Sequence, residues 1–450
     1  MADDAAGQDA AQYDSLAGQH VGASGGRPPL AGVRVIELGS FVAAPTATRI
    51  LADFGAEVIK VESPGAGDEL RQWGELIATR DGRHISAWWL TTARNKRFVT
   101  LNLREPRGQE LVLDLIAKSD IVVENFRPGR LEAWNLGYER LRVVNPRVVL
   151  VRISGYGQTG PYREKAGYGN VSESMGGLRY VTGYPDRPPV RVGVSLGDTL
   201  AAQQAAFGAL LALRVAERTG QGQIVDVAIT EAVFAVTEGM LTEFAHNGVV
   251  RERTGNKLLR AAPSNVYHTA DGKWMAIGGN GENVFRRFAA AMGMSELAVD
   301  KRFVDNRARV ANHEALDEII GRWTETHPLD EIQRTLDAAG VPAGPVMSIA
   351  DIAVDPQFQA RGMVARAPDA RMPEGATIMS GIVPRLTETP GRITRAGGEI
   401  GSDNQAVLGD LLGLSAGQQA ALEADGIIGA GVKAAQAAHI PQHEPREADD

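Results

Sequence analysis

The chain has 450 residues, 44% hydrophobic and 23% charged, enough for two or three compact units with a sizeable core. Its 55 acidic and 47 basic side chains leave a net charge of −8, which argues against a general nucleic-acid binder and makes any anion site a local basic patch. The absence of cysteine removes thiol nucleophiles, disulfides and thiolate metal sites together. No run reads as a membrane span, and the first twenty residues are acidic without an apolar signal core, so a cytoplasmic protein is expected. Residues 1–27 and 430–450 are polar and read as disordered tails.

Between the tails, Gly32–Leu38 reads as a buried strand, Pro45–Phe54 as a helix and Ala56–Glu62 as a second strand. That is a βαβ unit, hence a parallel sheet. Phe98–Leu103, Asp120–Phe126 and Arg147–Ser154 add strands, with a helix over Pro106–Lys118. Alternating strands and helices predict a doubly wound, Rossmann-like α/β domain whose ligands sit at the carboxyl ends of the strands. Arg94, Lys96, Arg97, Arg104 and Arg107, with Arg127 and Arg130 after the next strand, form basic groups suited either to phosphate or to a solvated face. Gly155, Gly157 and Gly160 match a dinucleotide fingerprint, but Gly167 and Gly169 break any helix behind it, so a turn-rich loop is expected and no NAD.

An alanine-rich helix is expected from Thr199, with Asp198 at its start behind Gly197. There a carboxylate can cap the helix. It can equally be a nucleophile, held ionised by the helix end and open to close ligand approach beside a glycine. Periodicity does not choose between these. Gly222–Ile229 follows as a strand and Glu231–His246 as one helix.

Beyond a polar connector over 246–262, a hairpin turns at Asp271-Gly272 and ends in the loop Gly278-Gly279-Asn280-Gly281, which reads either as an ordinary turn or as a mobile ligand cover. Helices over Asn283–Met292, His313–Thr326 and Leu329–Ala339 complete a smaller domain, 263–340. The segment 341–429 returns to complete the large domain begun at 28–245, with extended pieces at Met363–Arg366, Thr377–Ser380 and Ile382–Arg385 and helices at Asn404–Leu412 and Ala416–Ala424. The histidines have no metal-ligand spacing, and no metal is expected.

The stretches LAGVRVIELGSFVAAP, LADFGAEVIKVESPGAGD, NKRFVTLNLR, DIVVENFRPG, SLGDTL, TGQGQIVDVAI, the GGNGEN loop and GVPAGPVMS, in this order, resemble the class III coenzyme A transferases, the group of formyl-CoA transferase and carnitine CoA-transferase. The resemblance implies that Asp198 is the nucleophile, forming an aspartyl anhydride with the acyl donor and then an aspartyl-CoA thioester. It implies coenzyme A contacts at Phe41, Val42, Ala43, Leu101, Arg104, Asn125, Phe126, Arg130 and Tyr168, and a shielding glycine loop at Gly278, Gly279 and Gly281. It further implies an interlocked homodimer using acyl-CoA, such as succinyl-CoA, and carboxylate substrates, without nucleic acid or membrane. Gly169 stands where several members carry an acid, whose role is absent here or supplied by another group such as Glu173, and Val42 replaces a glutamine of the formyl-CoA enzymes. The competing readings are a 2-methylacyl-CoA racemase, an NAD oxidoreductase and a non-catalytic subunit that binds coenzyme A. This chain has Tyr168 where the histidine of the racemases would fall, and tyrosine is a poor base at neutral pH.

Overall fold

The computed structural model describes residues 26–429, so the tail expected over 430–450, and residues 1–25 of the other, lie outside the described residues. The described residues form two compact units, one running up to Ser172 with Ser195–Val233 and the part from Ala360 on, the other Glu173–Val194 with Phe234–Gln359.

In the first unit, Arg34–Glu37 (β1) and Glu57–Glu62 (β2) flank a helix over Ala43–Asp53 that starts two residues before the expected Pro45. Leu76–Ala78 (β3) and His84–Ser86 (β4) make a small antiparallel pair. Lys96–Thr100 (β5), Ile121–Glu124 (β6), Val149–Ser154 (β7) and Ile224–Ala228 (β8) complete a six-stranded sheet in the order β5-β2-β1-β6-β7-β8. All five pairings are parallel. Valine and isoleucine dominate the interior strands because helices cover both faces of such a sheet. The order reverses at β1, which lies between β2 and β6, so the crevice for a ligand opens where β1 and β6 end.

The helix carrying Asp198 runs from Leu196 to Thr219, with Ser195 at its N-cap. Asp198 is therefore its third residue and not the cap; the first turn starts at Leu196, where Thr199 N–H donates to the Ser195 carbonyl at 3.1 Å. Its buried face is mostly alanine, and Gly208 leaves room for Val225 of β8, whose Cγ1 would lie 2.6 Å from an added methyl. At 24 residues the helix has the length and composition of a membrane span, contrary to the sequence reading. Its alanine face packs on the Ala43–Asp53 helix and on β7 and β8, the setting of a core helix.

The helix expected over Glu231–His246 is two, Ile229–Phe234 and Met240–Asn247, because Glu238 takes a positive φ of 55°. In the second unit, Ser264–His268 (β9) and Trp274–Gly278 (β10) form the expected hairpin, joined by Ala343–Pro345 (β11). The expected helices lie at Glu282–Ala291, His313–Thr324 and Leu329–Ala338. A further one at Asn306–Ala311, capped by Asp305, was not legible in the periodicity.

The return segment adds Val364–Pro368 (β12) and Ala376–Ser380 (β13), a helix over Ala416–Ala424, and a π-helical turn over Gln405–Leu411. Ile382–Arg385 forms no strand; Pro384 has no N–H to give a ladder. The segment also closes the sheet edge. Phe98 N–H donates to Asp403 at 2.8 Å and Thr100 N–H to Asn404 at 2.9 Å, so two β5 donors end on side chains 304 or 305 residues away.

Candidate active site

At the switch point, β1 runs into Gly39-Ser40-Phe41 and β6 into Asn125. The Asn125 side chain accepts Ser40 N–H at 2.9 Å and donates to the Ser40 carbonyl at 2.8 Å, so two of the expected coenzyme-contact regions are physically joined. Phe41 has φ 64°, left-handed backbone that costs an L-residue about 1–2 kcal/mol. Its N–H donates to Asp68 Oδ1 at 3.1 Å, and its ring meets Trp73 edge-on at 5.3 Å. Val42 caps the following helix and Ala43 opens it, buried. Phe126 packs edge-on against Trp134, over which Arg130 lies. Leu101 is buried in the core, whereas Arg104 is exposed.

Beneath this loop lies a fully buried charge network. Lys60 Nζ is 2.7 Å from Glu37, 2.7 Å from Asp68 and 2.9 Å from the Gly39 carbonyl. Lys96 Nζ is 2.7 Å from Glu37 and 2.7 Å from the Pro45 carbonyl. Thr48 Oγ1 donates to Glu37 at 2.5 Å. Burial alone would raise the Glu37 carboxyl, but Lys60 and Lys96 outweigh it and hold it at about 2. Burial pulls Lys96 down to about 8 against the attraction of Glu37. For Lys60, burial also acts downward, but Asp68, Glu37 and Glu62 raise it overall. Sequence reasoning placed Lys96 in a basic patch and missed Glu37, Thr48, Lys60 and Asp68. The available signal was a lysine inside the apolar run VIKVE, since a buried lysine must be paired.

The basic cluster is reassigned by the same geometry. Arg94 is buried on Asp53 at 2.6 Å, Lys96 on Glu37, and Arg97 pairs with Glu57 at 2.6 Å. These three brace the sheet. Arg127 and Arg130 stay exposed after β6, a crevice strand, and Arg104 stays exposed after the edge strand β5.

Asp198 stands on the first turn of its helix, where the helix dipole favours negative charge. Its carboxylate lies against the backbone of Gly169. A methyl added there would come within 2.1 Å of Oδ2 and 2.7 Å of Cγ, so no side chain fits at 169 without moving the carboxylate. Tyr168, the neighbour of Gly169, is 71% exposed. The Gly155–Gly160 stretch is the expected loop, with Gln158 N–H donating to Asp226 of β8 at 2.9 Å.

The glycine loop belongs to the second unit. Gly278 ends β10 and Gly281 caps the next helix. Gly278 also lines a shallow hollow of about 360 Å³ with Asn256, Ser264 and Asn265. Two hydrogen bonds anchor the loop. Gly278 N–H donates to the Pro342 carbonyl at 2.9 Å, and fully buried Arg309 donates to the Asn280 carbonyl at 2.8 Å. Arg309 also holds the Ala262 carbonyl at 2.8 Å and Glu282 at 3.0 Å. Arg309→Met would orphan several carbonyls at about 1–3 kcal/mol each. The expected result is a lower melting temperature and roughly tenfold faster hydrogen exchange over residues 279–283, read by mass spectrometry. Unchanged exchange there would mean the tether does not restrain the loop. Among the described residues no group of three His, Asp or Glu could hold a metal ion.

The comparisons agree with this architecture. Residues 30–404 match the family described as CoA-transferase family III. Succinyl-CoA–D-citramalate CoA-transferase of Chloroflexus aurantiacus is 48% identical over 400 residues, 89% of this chain and 98% of the relative. The alpha subunit of succinyl-CoA–L-malate CoA-transferase of Chloroflexus aurantiacus is 41% identical over 86% of this chain and 90% of its own length. A CAIB/BAIF family protein from Brucella suis, solved by crystallography, superposes with a TM-score of 0.78 at 34% identity, covering 86% of this chain and 100% of that one. A chain matched over this length, with the sheet order and crevice described above, belongs to CoA-transferase family III and is a CoA-transferase.

Proposed function

We propose that the protein moves coenzyme A from succinyl-CoA to a carboxylic acid through covalent intermediates on Asp198. The observation that carries this reading is the Asp198 carboxylate on the first turn of a 24-residue helix, packed on a residue with no side chain. A carboxylate oxygen attacks the thioester carbonyl, giving a mixed anhydride and CoA thiolate. The thiolate attacks the aspartyl carbonyl, releasing succinate and leaving an aspartyl-CoA thioester. The acceptor carboxylate attacks that thioester, forming a second anhydride and freeing the thiolate again. Attack of the thiolate on the acceptor's acyl carbon yields the new CoA ester and restores Asp198. No water, oxidant or metal enters the balance.

Relatives named for succinyl-CoA with citramalate, malate or glutarate support a small dicarboxylate as acceptor, hydroxylated in the first two. Exposed Arg104, Arg127 and Arg130 suit the anionic coenzyme. We extend the reading to a homodimer. Phe207, Leu211 and Val215 on the Asp198 helix are 60%, 54% and 44% exposed, an apolar stripe of the kind an interface covers. Light scattering behind a sizing column tests it, a monomer counting against it.

The mechanism is tested by incubation with succinyl-CoA followed by hydroxylamine. A hydroxamate is expected on the Asp198 peptide; an unmodified peptide with turnover intact would overturn covalent transfer. Gly169→Ala gives a second check. The added methyl must displace the carboxylate, and misplacement by about 1 Å costs about a hundredfold in rate. Turnover should fall by about that factor, with coenzyme A affinity changed less than about threefold.

A further inference from the structure

Gly39, Ser40 and Phe41 are each fixed from below by a different side chain. Lys60 takes the Gly39 carbonyl, Asn125 holds both main-chain groups of Ser40, and Asp68 accepts the Phe41 N–H. Phenylalanine does not take a positive φ unaided, so the conformation is imposed by its surroundings. Asp68 is itself doubly held. Its Oδ2 lies 2.7 Å from Lys60, and its own N–H donates to Glu62 at 2.8 Å. One buried ammonium thus grips the loop at two points, directly at Gly39 and through Asp68 at Phe41.

We infer that Asp68, seated on Lys60, is a positioning residue for coenzyme A, holding the Phe41 peptide in the left-handed form that presents the Phe41–Ala43 backbone to the ligand. The inference rests on the proposed function and on the coenzyme contacts that the resemblance implies at Phe41, Val42 and Ala43, where β1 ends at the crevice. Asp68 also caps the short helix Glu69–Gln72 by accepting Leu70 N–H at 2.9 Å, a purely structural duty from which the positioning role must be separated.

The separation comes from a double-mutant cycle on coenzyme A binding, read by calorimetry with free coenzyme A. Asp68→Asn keeps the Oδ1 that accepts both Phe41 N–H and Leu70 N–H but loses the ion pair that seats the side chain on Lys60. It should weaken binding at least about tenfold, with kcat at saturating succinyl-CoA changed less than about threefold. Glycine adopts a positive φ without strain, so in a Phe41→Gly background the same change should cost less than about threefold. An equal effect in both backgrounds would show that Asp68 does not act through the Phe41 backbone and overturn the proposal. Should Asp68→Asn fail to fold, Phe41→Val and Phe41→Asn carry the test. Both lose the ring, but only asparagine tolerates left-handed backbone, so valine should bind at least about tenfold more weakly. Equal affinities would overturn the proposal. A wild type that fails to bind coenzyme A overturns the proposed function and this inference together. Wild-type binding with an unaffected Asp68→Asn variant overturns the inference alone.

Discussion

Asp198→Ala should lower turnover by roughly ten-thousandfold or more, the scale seen when a covalent nucleophile is removed from an enzyme that acts as a unit. Coenzyme A should still bind within about threefold of wild type, because the expected contacts at Phe41, Asn125 and Arg130 lie on other segments of the chain. Alanine suits the first turn, and the helix stays anchored by its alanine face on β7, β8 and the Ala43–Asp53 helix. Initial rates with succinyl-CoA and a panel of dicarboxylates, beside calorimetry with free coenzyme A, check both halves. Residual transfer above about one part in a hundred would rule out Asp198 as the group that carries the acyl chain. Deuterium uptake at the α-carbon of a 2-methylacyl-CoA by wild type would point to isomerisation.

The largest stability effect is expected at Glu37. Glu37→Gln keeps the shape but leaves Lys96 without its carboxylate and strips Lys60 of one of two, and breaking a buried pair in this way costs about 3–5 kcal/mol. The pH dependence has a definite sign. The Glu37 carboxyl lies at about 2 in the folded chain, below its ordinary 4.5. Its contribution is therefore complete above about pH 4.5 and is lost as the pH falls towards 2. Urea midpoints of wild type and variant should differ most at neutral pH and converge at the acid end. A gap that stayed constant down to about pH 2 would show that the charge of Glu37 is not what stabilises the network.

Much of the sheet was legible because its signal is local. GVRVIEL, AEVIKVE and NPRVVLVRIS each carry enough β-branched residues to mark a strand without any knowledge of neighbours. The partners of charged groups were not legible, because they come from distant segments. Arg94, Lys96 and Arg97 are close in sequence and read as a patch, yet their carboxylates lie 40 to 59 residues away. Asp198 stood out by its place before an apolar run, but its position within the first turn depended on where Ser195 ended the approach. The apparent departure at Gly169 had the opposite character. A residue conspicuous for lacking a carboxyl is the one whose backbone the Asp198 carboxylate rests on.

The capping of β5 by Asp403 and Asn404 has a consequence for biosynthesis. While the polypeptide is still emerging from the ribosome, this outermost strand waits through some three hundred further residues before its exposed amides find their side chains. At about 5–20 residues per second that delay lasts tens of seconds, during which the strand can template the wrong neighbour. Nascent chains halted before Asp403 should accordingly depend on chaperones in a way that chains released after Asn404 do not.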